Sequence, residues 1–169
     1  MEHAAQDQSA HGAGHTASAQ HHSHNDRAGV SPARLATHAT LHCLSGCALG
    51  ELAGLAIGVS LGWSPWPTMA LATVLAFASG YTLGLWPLVL AGMTWTGAFR
   101  TIWLGETVSI AVMELVMNFT DYHVGGVQAA SVLEPVFWAG FVAALPAGFV
   151  AAWPVNYWLL ARNVKKPCH

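Results

Sequence analysis

Residues 41–63 read LHCLSGCALGELAGLAIGVSLGW. A helix needs roughly 20 mainly apolar residues to cross a bilayer, and this stretch supplies them with Glu51 as its one charged side chain. It reads as a membrane span, and its polar groups then need a reason. Gly46, Gly50, Gly54, Gly58 and Gly62 recur at every fourth position and form one stripe along the helix. Such small-xxx-small repeats let two helix backbones approach closely, which matters in lipid because packing drives helix association there. Cys43, Cys47 and Glu51 repeat at the same interval on a neighbouring row, about 100° round the helix, while His42 heads the glycine row itself.

Composition places the rest of the chain in the same medium. Of 169 residues, 54 % are apolar and 8 % charged, against about 25 % charged in a soluble domain. Six basic and eight acidic side chains cannot cover a water-soluble surface. With a formal net charge of −2 the chain offers nucleic acid no basic surface, and its expected partners are the lipid bilayer, a metal ion, and a second copy or a partner membrane helix.

The pattern predicts four spans, at about 38–62, 67–91, 101–120 and 135–161. The connections are short; Ser64 to Pro67, SPWP, is a tight turn in which proline ends one helix and opens the next. The expected fold is therefore all-α, an integral membrane four-helix antiparallel bundle over residues 37–163. Residues 1–36 read as a disordered histidine-rich tail, too polar to bury a core and lacking the pattern of a secretory signal, so it is expected to remain on the mature protein. Residues 164–169 are a short basic tail.

Four spans also sort the charges. Arg27, Arg34, Arg100, Arg162, Lys165 and Lys166 all fall on one side of such a bundle, which the positive-inside rule makes the cytoplasm, with both termini there. Most of the eight tryptophans lie near span ends, as interfacial aromatics do.

The third span carries Glu106, Ser109, Met113, Glu114, Met117 and Asn118, and the fourth carries Asn156. Glutamates inside a span are costly against hydrocarbon, so they should face the interior and hold a proton or bind a cation. With no Lys or Arg within these spans, an internal salt bridge has no donor. His42, Cys43, Cys47, Glu51, Glu106, Met113 and Glu114 are accordingly the expected metal ligands, with Ser109, Met117, Asn118 and Asn156 as secondary polar groups.

HCLSGCALGELAG in the first span, ETVSIAVMELVMN in the third and PVNYWLLAR in the last resemble the signatures of a bacterial membrane family, domain of unknown function 4396, over residues 38–163. The resemblance implies a four-helix integral protein of the bacterial inner membrane; Glu106 stands where the family pattern leads one to expect aspartate, which keeps the carboxylate.

The tail holds His3, His11, His15, His21, His22 and His24, spaced imidazoles suited to late first-row metals. Thiols and thioethers suit copper(I), so the leading expectation is a membrane metal transporter or metal-binding accessory protein, with copper as the ion and the tail as its collector. The alternatives are a non-catalytic assembly protein packing through the glycine stripe, and a proton-coupled carrier of a small solute using Glu51, Glu106 and Glu114. An enzyme is disfavoured, since Cys43 and Cys47 lack CxxC spacing and no two histidines lie at depths that would ligate a haem.

Overall fold

The computed structural model describes residues 31–162. They form four long helices, α1 (Pro32–Ser60), α2 (Pro65–Leu90), α3 (Trp95–Val124) and α4 (Pro135–Ala161), with a single 3-10 turn, Gly126–Gln128, between the last two. At a rise of 1.5 Å per residue they are about 39–45 Å long, more than the roughly 30 Å of a bilayer's hydrocarbon. All four are long and apolar enough to cross a membrane. Short connections make sequential helices antiparallel; α1 lies between α2 and α4, and α3 closes the bundle against the same two helices.

Two boundaries differ from the expectation. The first helix starts at Pro32, so the polar tail is shorter than residues 1–36: Pro32 suits the first helical turn, and the Ser31 hydroxyl accepts a hydrogen bond from the Arg34 N–H at 3.4 Å. The third helix begins at Trp95, capped by Thr94, and runs to Val124, where Gly125 takes the left-handed conformation (φ 97°). Hydropathy gave only its middle, residues 101–120; capping residues set its true ends and bring Arg100 and Asp121 into the helix. Arg34, Arg100 and Arg162 lie at the same end of the bundle. The tail histidines His3, His11, His15, His21, His22 and His24, and residues 163–169, lie outside the described residues.

The first two helices end alike. In each turn the glycine N–H bonds a carbonyl three residues back and the next N–H bonds one five back: Gly62 to Val59 (3.0 Å) and Trp63 to Gly58 (2.9 Å), then Gly92 to Val89 (2.9 Å) and Met93 to Leu88 (3.1 Å). This Schellman arrangement needs a left-handed residue, and Gly62 and Gly92 have φ of 66° and 92°. Gly62 thus leaves the packing stripe in which the sequence placed it: a Cβ there would meet nothing within 4 Å.

The remaining stripe is a contact between α1 and α2. A Cβ on Gly50 would stand 2.2 Å from the Leu75 carbonyl oxygen, and one on Gly54 would stand 2.3 Å from the Ala72 Cα, so the two backbones touch. Ser79 donates from its hydroxyl to the Gly46 carbonyl at 2.7 Å across the same seam. The stripe's counterpart is Thr68, Ala72, Ala76, Gly80 and Gly84, all buried on α2. On α4 a further row at the same spacing, Gly140, Ala144, Gly148, Ala152 and Asn156, is buried, and Met117 packs onto Gly148. The outer surface is apolar, with Leu49, Val74, Leu115 and Val150 each more than 60 % exposed. An exterior this apolar on helices of this length suits a lipid environment.

Candidate functional site

The interior is polar in layers, because α1 and α3 turn their polar rows towards the axis while α2 and α4 supply small residues. Nearest the end that carries the arginines lies a hydrogen-bonded chain. Ser109 donates to the Asn156 side-chain oxygen at 2.6 Å, Asn156 donates to the Thr40 hydroxyl at 2.9 Å, and Thr40 donates to the Ala36 carbonyl at 2.8 Å. Every member is buried and partnered, so this layer ties α1, α3 and α4 together. Trp153 adds a bond from its indole nitrogen to the Thr37 hydroxyl, 3.0 Å.

The next layer is built of sulfur. Cys43 and Cys47 are buried, free thiols within hydrogen-bonding reach of each other. They pack in one cluster with Ile110, Met113, Met117 and the small residues Ala76, Ala144 and Ala152. Thiols one helical turn apart on α1 thus share one cluster with the two thioethers of α3.

The third layer is acidic and lies where the sulfur cluster gives way to a second apolar cluster around Leu55, Val59, Phe137 and Phe141. Glu51, between Cys47 and Leu55 on α1, is fully buried, and neither carboxylate oxygen has a hydrogen-bond partner. Asp121 and Glu114 both stand within electrostatic range of it. Glu114 is 2 % exposed and its Oε1 is likewise unpartnered. Asn118 spends its amide nitrogen on the Glu114 carbonyl (2.9 Å) and the Thr73 hydroxyl (3.1 Å), which leaves its Oδ1 without a donor. Asp121 closes the layer beneath the 3-10 turn, its carboxylate pressed against Gly126 and Gly140 with no room for a Cβ at either.

Of the two remaining expected ligands, His42, only partly buried, heads the row that faces α2, as the four-residue spacing dictates; Glu106, 4 % exposed, faces Gly84 on α2 and stands within electrostatic range of Cys47. Among the described residues no three of His, Cys, Asp and Glu come together as a group able to hold a metal ion. What the fold brings together is the pair Cys43 and Cys47 with Met113 and Met117, and next to them the carboxylates of Glu51 and Glu114. Asp121 was missed by sequence reasoning because DYHVGG reads as a connection. Its spacing from Glu114, Met117 and Asn118 continues their face and was the available signal.

Between α2 and α3 a groove of about 410 Å³ opens on the flank of the bundle, lined by Trp66, Met69, Phe77 and Leu115 and reaching Glu114 and Asn118 at its floor.

The four apolar helices and their lipid-facing exterior make this a multi-pass membrane protein. Residues 34–165 match the family described as Domain of unknown function (DUF4396), and the chain belongs to that family. No curated protein and no solved structure matches it.

Proposed function

We propose that the bundle binds a cation inside the membrane and passes it across, with copper(I) as the leading cargo, handled by Cys43, Cys47, Glu51, Met113 and Glu114. Glu51 carries the reading: its carboxylate is fully buried with both oxygens unbonded. Glu114 and Asp121 lie within electrostatic range, and α2 and α4 carry no ionisable side chain apart from Tyr81 and Tyr157. Isolated buried charge costs several kcal/mol, about as much as a whole domain can spare, so such a site persists only with a positive partner. The partner is a proton at rest and a metal ion when loaded.

Sulfur decides the class of metal. Two thiols and two thioethers in one cluster are soft donors and favour copper(I), whereas zinc commonly takes four ligands from Cys, His and carboxylate. Arg34, Arg100 and Arg162 at one end support an inner-membrane orientation with both termini in the cytoplasm, where the tail histidines would collect the ion. The assembly alternative has less to work with, since the glycine stripe is already covered by α2 of the same chain.

The test is copper(I) uptake into proteoliposomes. Cys47→Ser and Glu51→Gln should each lower uptake while inserting normally; uptake equal to the wild type in both variants overturns the proposal.

A further inference from the structure

We infer that the first two turns of α1 hold the headgroup of an anionic phospholipid, with Arg34 and His38 gripping its phosphate. Ala33, Arg34, Thr37 and His38 line a pocket of about 200 Å³ there, room for a phosphate group and its attending water. The Thr37 hydroxyl is already spent, donating to the Ala33 carbonyl at 2.9 Å and accepting from the Trp153 indole at 3.0 Å. The donors left to a ligand are the Arg34 guanidinium and the His38 ring, both exposed. A guanidinium suits phosphate through two parallel N–H bonds, and an imidazole keeps one N–H donor even when neutral. The carboxyl groups of α1 and α3, on Glu51, Glu106, Glu114 and Asp121, are all buried, and α2 and α4 have none, which leaves the outer face around Arg34 positive.

A second arginine stands at the same height. The Thr40–Asn156 bond sets the antiparallel register of α1 and α4, and Arg34 and Arg162 lie equally far beyond it, towards the end of the bundle. Arg162 lies over the Trp158 ring at 5.0 Å, and the rings of Trp153 and Tyr157 stack at 5.6 Å, so aromatic side chains flank the same level, as they do at headgroup depth. Because α1 is longer than the roughly 30 Å hydrocarbon layer, its first turns fall among the headgroups. Basic pockets at that depth take anionic headgroups. A soluble anion would use Arg34 and His38 alone, whereas a lipid also uses what lies below them. The exposed face of α1 continues from His38 through Leu41 and Leu49, 49 % and 65 % exposed, so a phosphate in the pocket lays its acyl chains along apolar side chains. Between these two, the Ser45 hydroxyl is turned back on the His42 carbonyl at 2.7 Å. The site is independent of the thiol pair and stands whether or not the bundle carries a metal.

The experiment is competition binding of radiolabelled phosphatidylglycerol to the detergent-purified full chain, with unlabelled phosphatidylglycerol, phosphatidylcholine and glycerol phosphate as competitors. Saturable binding is expected, displaced by phosphatidylglycerol much better than by phosphatidylcholine, and not by glycerol phosphate. Arg34→Gln should weaken it about fivefold or more, the size of one basic residue at an anionic surface, whereas Arg100→Gln, at the same end but outside the pocket, should stay within about twofold of the wild type. His38→Leu should weaken binding too, and His38→Gln, which keeps an N–H donor, should restore most of it. Arg34 and His38 are exposed, so these variants keep the fold. Absence of saturable binding, equal displacement by phosphatidylcholine, or unchanged binding in Arg34→Gln overturns the proposal. Equal losses in Arg34→Gln and Arg100→Gln also overturn it, leaving a general attraction between a basic end and an anionic surface. Displacement by glycerol phosphate overturns the lipid and leaves a site for a soluble anion.

Discussion

Replacing Glu51 by methionine should make the folded protein more stable while abolishing what the protein does with its cation. Glu51 is 0 % exposed, and both its oxygens lack hydrogen-bond partners. A buried polar group left unsatisfied costs about 1–3 kcal/mol. Methionine has a similar length and a flexible thioether that fills irregular space, so the substitution removes that cost without opening a large cavity. It also takes one carboxyl out of the group it forms with Glu114 and Asp121. The expected gain is about 1–3 kcal/mol, in keeping with the trade between stability and activity at functional sites. Unfolding by dodecyl sulfate in mixed micelles, followed by helical circular dichroism, measures it against Glu51→Gln, which keeps a buried polar head and should shift stability little. Destabilisation by Glu51→Met would show that the carboxylate has a structural partner, and the reasoning would fail.

Other expectations concern the frame around the site. Gly54→Ala places a Cβ 2.3 Å from the Ala72 Cα, so α1 and α2 must part by about 1 Å; overpacking of this kind costs about 1–3 kcal/mol and outweighs the roughly 1 kcal/mol that alanine gains in helix propensity. The same unfolding assay should show a net loss, and equal or greater stability would contradict the backbone contact. Asn156→Leu removes the link between Ser109 and Thr40, and a loss of about 1 kcal/mol is expected, the usual size for inter-helix hydrogen bonds in membranes. Because that layer is fully partnered and structural, copper uptake by the folded variant should stay near the wild-type level.

The bundle was legible because hydropathy and the distribution of arginine both report the medium, and because a four-residue glycine repeat has one physical use. The same spacing on α2 and α4 passed unnoticed, since alanine, threonine and asparagine carry that stripe where glycine does not. Gly62 shows the limit of periodicity. It keeps the register of Gly58, yet it lies beyond the last helical residue and serves the turn. Asp121 shows the converse, a site residue hidden by a local drop in hydropathy although the helix continues to Val124. His42 was expected among the ligands with the thiols although it heads the glycine row, about 100° of rotation from Cys43. That the two thiols meet Met113 and Met117, and that Glu51 meets Glu114 and Asp121, depends on the relative height of α1 and α3, which no single helix encodes.

The most direct measurement is the metal content of detergent-purified full-length protein by mass spectrometry. Three forms are compared: the wild type, a variant with His21, His22 and His24 changed to alanine, and one with Cys43→Ser and Cys47→Ser. The account predicts stoichiometric copper that survives the loss of the tail histidines and disappears with the thiols. Copper lost with the tail histidines, kept without the thiols, or never bound would contradict it.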